Sequence, residues 1–309
     1  MKKIHAWYQD PLVNEILIKP NIDPILTIVM PVFNQAAIIE NVLTHLFNSI
    51  ELPFDLIIIN DASEDNTRER VHSFLNNINN TTIVKVIFIE NIFPIYETAC
   101  DNLGFKMART EYILEFQSDI YVNHKGFEKN MISSIEKFKL SSISGRHVHY
   151  FSMLEGGKKV WLKYPFIKIK FSLNLIEEGI GLIGEKIFQN INSDILSNYL
   201  YVGETVSRGP WLLKKSFLEK VNYLDQENYF LGNDDHDFHF RVRKLINLDC
   251  AYLPINIFSN RLEGSTRKKR DGINAEIFNY LNQNKTGSDE FKNFMKDYKP
   301  FKKIEKIEL

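Results

Sequence analysis

The sequence predicts an α/β protein with a mostly parallel central sheet flanked by helices. Short runs rich in β-branched residues alternate with stretches that carry apolar residues at helical spacing, which is the pattern of successive β-α-β units. The runs Leu26–Val32 and Phe54–Asn60 are apolar almost throughout, as expected for strands buried on both faces. Parallel neighbours of this kind are joined by a helix that crosses over the sheet.

The remaining elements follow from the same alternation. The first crossover helix is indicated by five apolar residues at helical spacing, Ile38, Ile39, Val42, Leu43 and Leu46. After the second strand, the pattern predicts helices over 65–75 and 98–108 and strands over 83–89 and 111–116. A later helix is expected from Asn233 and a late strand over 251–254. Ligands of such sheets bind beyond the carboxyl ends of the strands.

Composition excludes several classes of protein. The 309 residues are 44% hydrophobic and 25% charged, which is ordinary globular usage and argues against disorder or a coiled coil. The formal net charge of −1 argues against a dedicated nucleic-acid binder. Two cysteines, Cys100 and Cys250, are too few for a disulfide framework, and neither a signal peptide nor a run of 18 apolar residues is visible. We therefore expect a cytoplasmic protein whose membrane contact, where it has any, is peripheral.

Three regions are predicted along the chain. They are an N-terminal extension over 1–25, a main domain over 26–260 with an insertion at about 151–200, and a C-terminal loop and basic helical tail over 261–309, expected to be mobile. Within the insertion, 158–170 interleaves lysines with aromatic residues. This segment is either a solvated loop whose aromatics pack on the body or a patch for an acceptor or a membrane surface.

Polar residues follow three of the predicted strands. Asn34 lies just beyond the first strand, and Asp61 follows the second, where a carboxylate is suited to recognise a nucleoside by hydrogen bonds. The nearby Asp65 is expected to cap the next helix or lie in its first turn. Asp119 follows the strand that ends near residue 116, where it is either a ligand of a hard divalent cation or a turn-forming residue.

A second acidic group stands at the start of the late helix. Asp234, Asp235 and Asp237 surround His236, and a carboxylate there can remove a proton from an acceptor hydroxyl. The alternative is that these acids only complement the positive end of the helix dipole. The dipole keeps Asp235 ionised, whereas the charge of Asp234 raises its pKa, and the sequence leaves open which effect is larger.

Four segments together resemble a known family. They are LTIVMPVFNQAAIIENVL, DLIIINDASEDNTRERV, ACDNLGFKMARTEYILEFQSD and SRGPWLLKKSFLEKVNYLDQENYFLGNDDHDFHFRVRKL. In this order and at this spacing they are similar to the inverting family 2 glycosyltransferases, which have a GT-A fold with a Rossmann-like sheet. The resemblance covers most of the chain, about 26–252.

The resemblance implies roles on the donor side. Pro31, Phe33 and Asn34 would line the nucleotide pocket, and Asp61 would contact the base, usually uracil, so that a UDP-sugar is the expected donor. The D-x-D metal motif of the family falls on residues 117–119, where Gln117 replaces the first carboxylate. Ser118 would lie at the donor and Asp119 would contact Mn²⁺ or Mg²⁺.

The resemblance also implies roles nearer the acceptor. Asp235 would be the general base, with Asp234 beside it and Asp237 on the acceptor side. Arg208 would face the donor, Gly209 would permit close approach, and Trp211 would stack on a sugar or, alternatively, belong to the core next to a turn. Apart from the resemblance, Arg267 is expected from its place in a basic run to clamp the leaving diphosphate, and the alternative is that this run is only solvated surface.

The functional hypothesis is an inverting glycosyltransferase of polysaccharide biosynthesis. It would move a sugar from a nucleotide diphosphate to a hydroxyl of a glycan, a glycoconjugate or a lipid-linked acceptor, without a nucleic-acid partner. One alternative is a catalytically inactive module that binds sugar nucleotides, which the loss of a carboxylate at Gln117 favours and the intact acids at 234–237 disfavour. A nucleotidyltransferase would need a glycine-rich basic loop after the first strand, and PVFNQAAII contains neither glycine nor a cation.

Overall fold

The computed structural model describes residues 10–19, 21–77, 82–151, 182–183, 186–187, 198–259, 271–298 and 305–309. Its helices are α1 (Ile39–Ser49), α2 (Thr67–Asn76), α3 (Tyr96–Met107), α4 (Phe127–Phe138), α5 (Lys215–Lys220), α6 (Asp234–Ile246), α7 (Gly272–Asn284) and α8 (Asp289–Asp297). Its strands are β1 (Leu12–Leu17), β2 (Leu26–Val32), β3 (Phe54–Asn60), β4 (Ile83–Glu90), β5 (Tyr112–Glu115), β6 (Ile120–Val122), β7 (Ser142–Ser144), β8 (His147–His149), β9 (Leu182–Ile183), β10 (Lys186–Ile187), β11 (Tyr199–Gly203), β12 (Thr205–Ser207), β13 (Trp211–Lys214), β14 (Cys250–Tyr252), β15 (Ile257–Ser259) and β16 (Glu305–Glu308).

A ten-stranded sheet forms the centre, in the order β1-β4-β3-β2-β5-β13-β7-β14-β11-β16. Strands β4, β3, β2 and β5 are mutually parallel, as predicted. Strand β13 is antiparallel to both β5 and β7, and β7 is parallel to β14. Because β13 is antiparallel to its neighbours on both sides, β7 and β14 run in the same direction as β2 to β5. The carboxyl ends of these six parallel strands therefore lie at one edge of the sheet.

The core lies on both faces of this sheet. Neighbouring residues of β3 point to opposite sides: Ile58 packs in the layer of α1, whereas Ile57 packs in the layer of α3 and α6. All seven residues of β3 are buried, and so are six of the seven in β2. The strands with continuous apolar runs are therefore covered on both faces, which confirms the predicted fold class.

The N-terminal part contributes a strand that the sequence pattern did not indicate. Strand β1 pairs antiparallel with β4 in a register that joins Leu12 to Glu90. Leu12 is 59% exposed, because β1 is the outermost strand and nothing else in the described residues covers it. The strand escapes sequence analysis since its apolar residues are interrupted by Asn14 and Glu15.

The C-terminal helices pack on the main domain. In α7, Ile277 and Leu281 join a cluster with Tyr96 and Phe230. In α8, two buried side chains, Phe291 and Met295, join a second cluster with Phe151 and Phe240. Residues 271–298 are therefore a packed part of the fold, and the expectation of a mobile tail is wrong there.

The segment 158–170, with its alternative roles as a solvated loop or a surface patch, lies outside the described residues. Within the residues that the structure describes, no helix combines the length and the apolar character needed to cross a bilayer.

Candidate functional site

The loops that follow β2 and β3 are held together by hydrogen bonds. The backbone N–H of Asn34 donates to Ser63 Oγ at 3.0 Å, and Asn34 Oδ1 accepts from the backbone N–H of Glu64 at 2.7 Å. The N–H of Ala36 donates to Asp65 Oδ2 at 3.1 Å. Asn34 has a φ of 52°, a left-handed conformation that asparagine adopts more readily than most residues. The predicted nucleotide edge is thus a pair of loops with fixed relative positions.

The other predicted residues of this edge lie beside that pair. Pro31 is in β2 opposite Ile59 of β3, and Phe33 is buried just beyond the strand. Asp65 Oδ1 accepts from the N–H of Thr67 at 3.0 Å, so Asp65 satisfies a donor in the first turn of α2. It does so from the position before the N-cap residue Asn66, one residue earlier than expected for a cap.

Asp61 is bonded to the start of α3. Its Oδ1 accepts from Asn91 Nδ2 at 2.9 Å and from the N–H of Ile95 at 2.8 Å, while Oδ2 accepts from the N–H of Tyr96 at 2.9 Å. Burial raises the pKa of Asp61, and these hydrogen bonds oppose that rise. A carboxylate has about four acceptor positions, and these three bonds together with one to the Cys100 thiol engage them within the chain. Asp61 anchors α3, and its contact with a base stays a prediction.

The first turn of α3 reaches the segment predicted as the metal motif. Gln117 Nε2 donates to Glu97 Oε1 at 3.0 Å, and Gln117 Oε1 lies 3.4 Å from Arg146 Nη1. Ser118 is buried and Asp119 is partly exposed in the turn between β5 and β6. Both ends of the Gln117 amide are therefore engaged by side chains of the chain itself.

The donor set around this segment fits a divalent cation poorly. The described residues contain no group of three acidic, histidine or cysteine side chains arranged to hold a metal ion. Mn²⁺ and Mg²⁺ prefer carboxylate oxygens, yet Gln117 offers a neutral amide and has the guanidinium of Arg146 as its neighbour. Asp119 is the carboxylate of the motif, and its role as a ligand stays a prediction.

Arg208 lies at the centre of a buried group of acids. Its guanidinium forms ion pairs with Asp101 and Asp234, and Nη1 is 3.5 Å from Glu97 Oε1. Arg208 is 4% exposed, and Asp101 and Asp234 are fully buried. Burial raises the pKa of Asp101, which Arg208 opposes by attracting the ionised form. The guanidinium is thus engaged by the chain's own acids, and its predicted contact with the donor stays a prediction.

Glu115, at the end of β5, is a further buried acid. It is 1% exposed, and neither carboxylate oxygen has a hydrogen-bond partner among the residues that the structure describes. Burial raises the pKa of Glu115 well above its ordinary value, and the charge of Asp101 adds to the rise. Burial therefore favours the protonated form of Glu115.

Asp235, in the first turn of α6, has one hydrogen bond at each oxygen. Oδ2 accepts from the backbone N–H of Arg208 at 3.1 Å, and Oδ1 accepts from the N–H of His236 at 2.8 Å. Burial favours the protonated form, but the neighbouring His236 and Arg208 outweigh it and lower the pKa of Asp235. The carboxylate is therefore ionised at neutral pH.

The residues behind Asp235 fix its backbone. His239 Nδ1 lies 2.6 Å from the carbonyl oxygen of Asp235, and His239 Nε2 lies 2.7 Å from Ser142 Oγ. Burial lowers the pKa of His239 to about 3, so the ring is neutral and can donate from one nitrogen while accepting at the other.

The two acids next to Asp235 have different environments. Asp234 Oδ2 accepts from Thr98 Oγ1 at 2.6 Å, which ties α6 to α3 in addition to the pair with Arg208. Asp237 Oδ2 accepts from Arg241 Nε at 2.6 Å, one turn further along the helix. Two residues correspond to about 200° around a helix, so Asp237 lies on the face opposite Asp235. Its predicted place on the acceptor side is not supported by this arrangement.

Trp211 and Gly209 occupy structural positions. Trp211 is fully buried in β13, with its ring 5.3 Å from that of Phe238, so it has no exposed face on which a sugar could stack. Trp211 is thus a core residue, as in the alternative interpretation, and it is the first residue of a strand. Gly209 has a φ of 86°, and a Cβ there would lie 2.6 Å from Gln117 Oε1. The glycine therefore allows the backbone to approach the side-chain amide of Gln117 closely. Arg267 lies outside the described residues.

Sequence analysis missed Glu97, Asp101, Glu115 and Arg146, which meet around Gln117 and Arg208. An acid at the end of the otherwise apolar run YILEF was the one local signal, since it singles out Glu115. The others come together only through contacts between distant segments.

Comparisons with known proteins agree with this architecture. A model of the family described as Glycosyl transferase family 2 matches residues 27–183, which is half of the chain. No curated protein matches the chain.

Two solved structures have a similar fold, and a third, from TarS, is similar with a lower score. The mannosyltransferase PcManGT from Pyrobaculum calidifontis, in complex with GDP-Man and Mn²⁺, has a TM-score of 0.51 at 12% identity over 76% of this chain and 56% of its own. GalNAc-T7 with UDP, GalNAc and Mn²⁺ has a TM-score of 0.52 at 10% identity over 76% and 43%. Residues 1–349 of S. aureus TarS have a TM-score of 0.48 at 14% identity over 75% and 59%.

The chain thus spans about half the length of these proteins. The identities to PcManGT and GalNAc-T7 are so low that these two structures establish the fold alone. The structure has the GT-A architecture, with its polar residues gathered at the carboxyl edge of the sheet. On the family match and this fold, the chain belongs to glycosyl transferase family 2.

Proposed function

We propose that the protein transfers a sugar, with inversion, from a nucleotide diphosphate to an acceptor hydroxyl, with Asp235 as the general base. The observation that carries the proposal is the environment of Asp235. It is an ionised carboxylate at the carboxyl edge of the sheet, oriented by two backbone N–H groups and still able to accept a further hydrogen bond.

An inverting transfer takes place in one displacement. The bond between the anomeric carbon and the diphosphate oxygen breaks, and its electron pair leaves with the diphosphate. The acceptor oxygen forms the new bond to that carbon, and its proton passes to Asp235. Such a step needs no covalent enzyme intermediate, so a positioned carboxylate is sufficient on the acceptor side.

The expected donor is a UDP-sugar. The support is the pair of loops around Asn34 and Asp61, together with nucleotides in similar structures: UDP in GalNAc-T7 and GDP-Man in PcManGT. A ring N–H of the base would share or replace one of the hydrogen bonds that Asp61 makes within the chain. The acceptor is a hydroxyl of a glycan, a glycoconjugate or a lipid-linked sugar, in a setting of polysaccharide synthesis.

Asp119 is the residue that would contact Mn²⁺ or Mg²⁺, as suggested by the Mn²⁺ in the PcManGT and GalNAc-T7 structures. Because the described donor set fits such an ion poorly, no part of the displacement above is assigned to a metal.

The test replaces the base with an amide of the same shape. Asp235→Asn is expected to reduce transfer about 100-fold or more, because general-base catalysis contributes that much, while binding of UDP stays within twofold of the wild type. Transfer is measured as UDP release from a panel of UDP-sugars with glycan acceptors, and the anomeric configuration of the product is read by NMR.

Asp289→Asn is the matched control, since that carboxylate is 92% exposed on α8. Transfer by Asp235→Asn at the rate of Asp289→Asn would rule out Asp235 as the base, and a retained anomeric configuration would rule out inversion.

A second candidate is a catalytically inactive module that binds sugar nucleotides, favoured by the amide at Gln117. It predicts nucleotide binding by the wild-type protein without sugar transfer in the same panel.

A further inference from the structure

Arg146 is fixed at the carboxyl edge of the sheet, two residues beyond β7. Its backbone N–H donates to Ser144 Oγ at 2.9 Å, and Ser144 Oγ in turn donates to the carbonyl of Ser207 at 2.6 Å. The adjacent N–H of Gly145 donates to the carbonyl of Pro210 at 2.8 Å. The loop that carries Arg146 is therefore attached to the segment that precedes β13.

Within the described part of the chain, the hydrogen-bond partners of the Arg146 guanidinium are neutral acceptors. Its Nη1 lies 3.4 Å from Gln117 Oε1 and 3.4 Å from the carbonyl oxygen of Arg208, both long for hydrogen bonds. Its Nε is buried without a hydrogen-bond partner. Among the described residues, no carboxylate lies within ion-pairing distance of Arg146, whereas Arg208 is held by Asp101 and Asp234.

The charge of this edge calls for a cation. A diphosphate that approaches the turn containing Asp119 meets that carboxylate, whereas Glu97, behind Gln117, is paired with the guanidinium of Arg208. Like charges a few ångströms apart repel by several times the thermal energy in a protein site. Gln117 removes one negative charge from the motif, and the guanidinium beside it adds a positive one.

Resting on the proposed function, we propose that Arg146 binds the diphosphate of the nucleotide-sugar donor and supplies the positive charge that the incomplete metal motif does not. Two guanidinium N–H groups match two phosphate oxygens in a planar arrangement. As the bond to the sugar breaks, the electron pair that leaves with the diphosphate is stabilised by this charge, and no bond to Arg146 forms.

The first experiment measures binding of UDP, GDP and uridine by calorimetry in excess EDTA. The wild-type protein is expected to bind a nucleoside diphosphate without metal. Arg146→Ala is expected to weaken that binding about 10- to 100-fold, because a hydrogen bond to a charged group is lost, with a smaller loss for Arg146→Lys. Uridine has no phosphate, so its affinity stays within twofold in both variants, which a merely structural role would not produce.

The control is Arg70→Ala, whose exposed side chain pairs with Glu40 on the helical surface and is expected to leave all affinities unchanged. Thermal unfolding shows whether each variant is folded, and Arg146→Gln replaces Arg146→Ala if the latter is not. Equal UDP affinity in the wild type and a folded Arg146 variant would overturn the proposal, as would UDP binding by the wild type that requires Mn²⁺.

Failure of the proposed function has a different signature. If the wild-type protein binds UDP through Arg146 but transfers no sugar, the role of Arg146 is supported and the proposed transferase activity is contradicted. If the protein transfers sugar only with added Mn²⁺, the proposed transferase activity is supported and the role of Arg146 is contradicted.

Discussion

Asp237 shows how strongly a single position depends on what surrounds it. Burial raises its pKa to about 6, although Arg241 opposes the rise, and the charges of Asp225 and Asp234 reinforce it. In the unfolded chain an aspartate has a pKa of about 4. Between these values the folded protein keeps a proton that the unfolded chain releases, so this contribution to stability is full below about pH 4 and is lost as the pH rises through 6.

The variant Asp237→Asn cannot titrate at this position, so it is expected not to lose this stability as the pH rises. In urea denaturation from pH 4 to 7, the free energy of unfolding of the wild type should fall relative to that of the variant. Near pH 5 the slope should correspond to the release of about one proton on unfolding. Asp289→Asn provides the exposed control. A difference between wild type and Asp237→Asn that is constant with pH would contradict the assignment.

At the scale of elements, the packing of α8 explains why the C-terminal region is part of the domain. Phe291 contacts Phe151 and Phe240, with ring centroids 6.0 and 5.5 Å apart, and Tyr298 at the end of α8 donates to Glu204. Aromatic clusters of this kind bury a large apolar area for few residues.

Phe291→Ala is expected to reduce the free energy of unfolding by about 3 kcal/mol, since the ring leaves a cavity in this cluster. Asn293→Ala, on the exposed face of the same helix, is expected to change it by less than about 0.5 kcal/mol. Equal effects of the two changes in urea denaturation would show that α8 does not pack as described.

Elements with a continuous periodic pattern were predictable from sequence, and others were not. Strands β2 to β5 were predicted from short, nearly continuous apolar runs, and the helices between them from apolar residues at helical spacing. Strand β13 was missed because Gly209 and Pro210 indicate a turn directly before it, and because its four residues gain their stability from β5 and β7. In the site, Asp235 followed from a local motif, whereas the contact of Arg146 with Gln117 depends on two segments meeting in space.

At the scale of the whole molecule, Arg208 joins the two halves of the chain. It links Asp101 of α3 to Asp234 of α6, so these two helices are connected through one buried cation. Buried acids that share one partner are costly to leave unpaired.

Arg208→Met is expected to destabilise the protein by about 3 to 5 kcal/mol, because it leaves these carboxylates uncompensated. Adding Asp101→Asn should recover part of the loss, with a coupling of more than about 1 kcal/mol in a double-mutant cycle measured by denaturation. Additive effects of the two changes would contradict the shared ion pair, and Arg70→Ala again provides the exposed control.

The place of β13 in the sheet also affects the order in which the protein can form. Strands β2 to β5 are complete once residue 115 has left the ribosome, but the strand that closes the free edge of β5 begins only at Trp211. During synthesis of the intervening chain, a parallel sheet with an open hydrogen-bonding edge is exposed, and such edges pair with other chains. A nascent chain that stalls before Trp211 is therefore expected to be the form of this protein that most needs a chaperone.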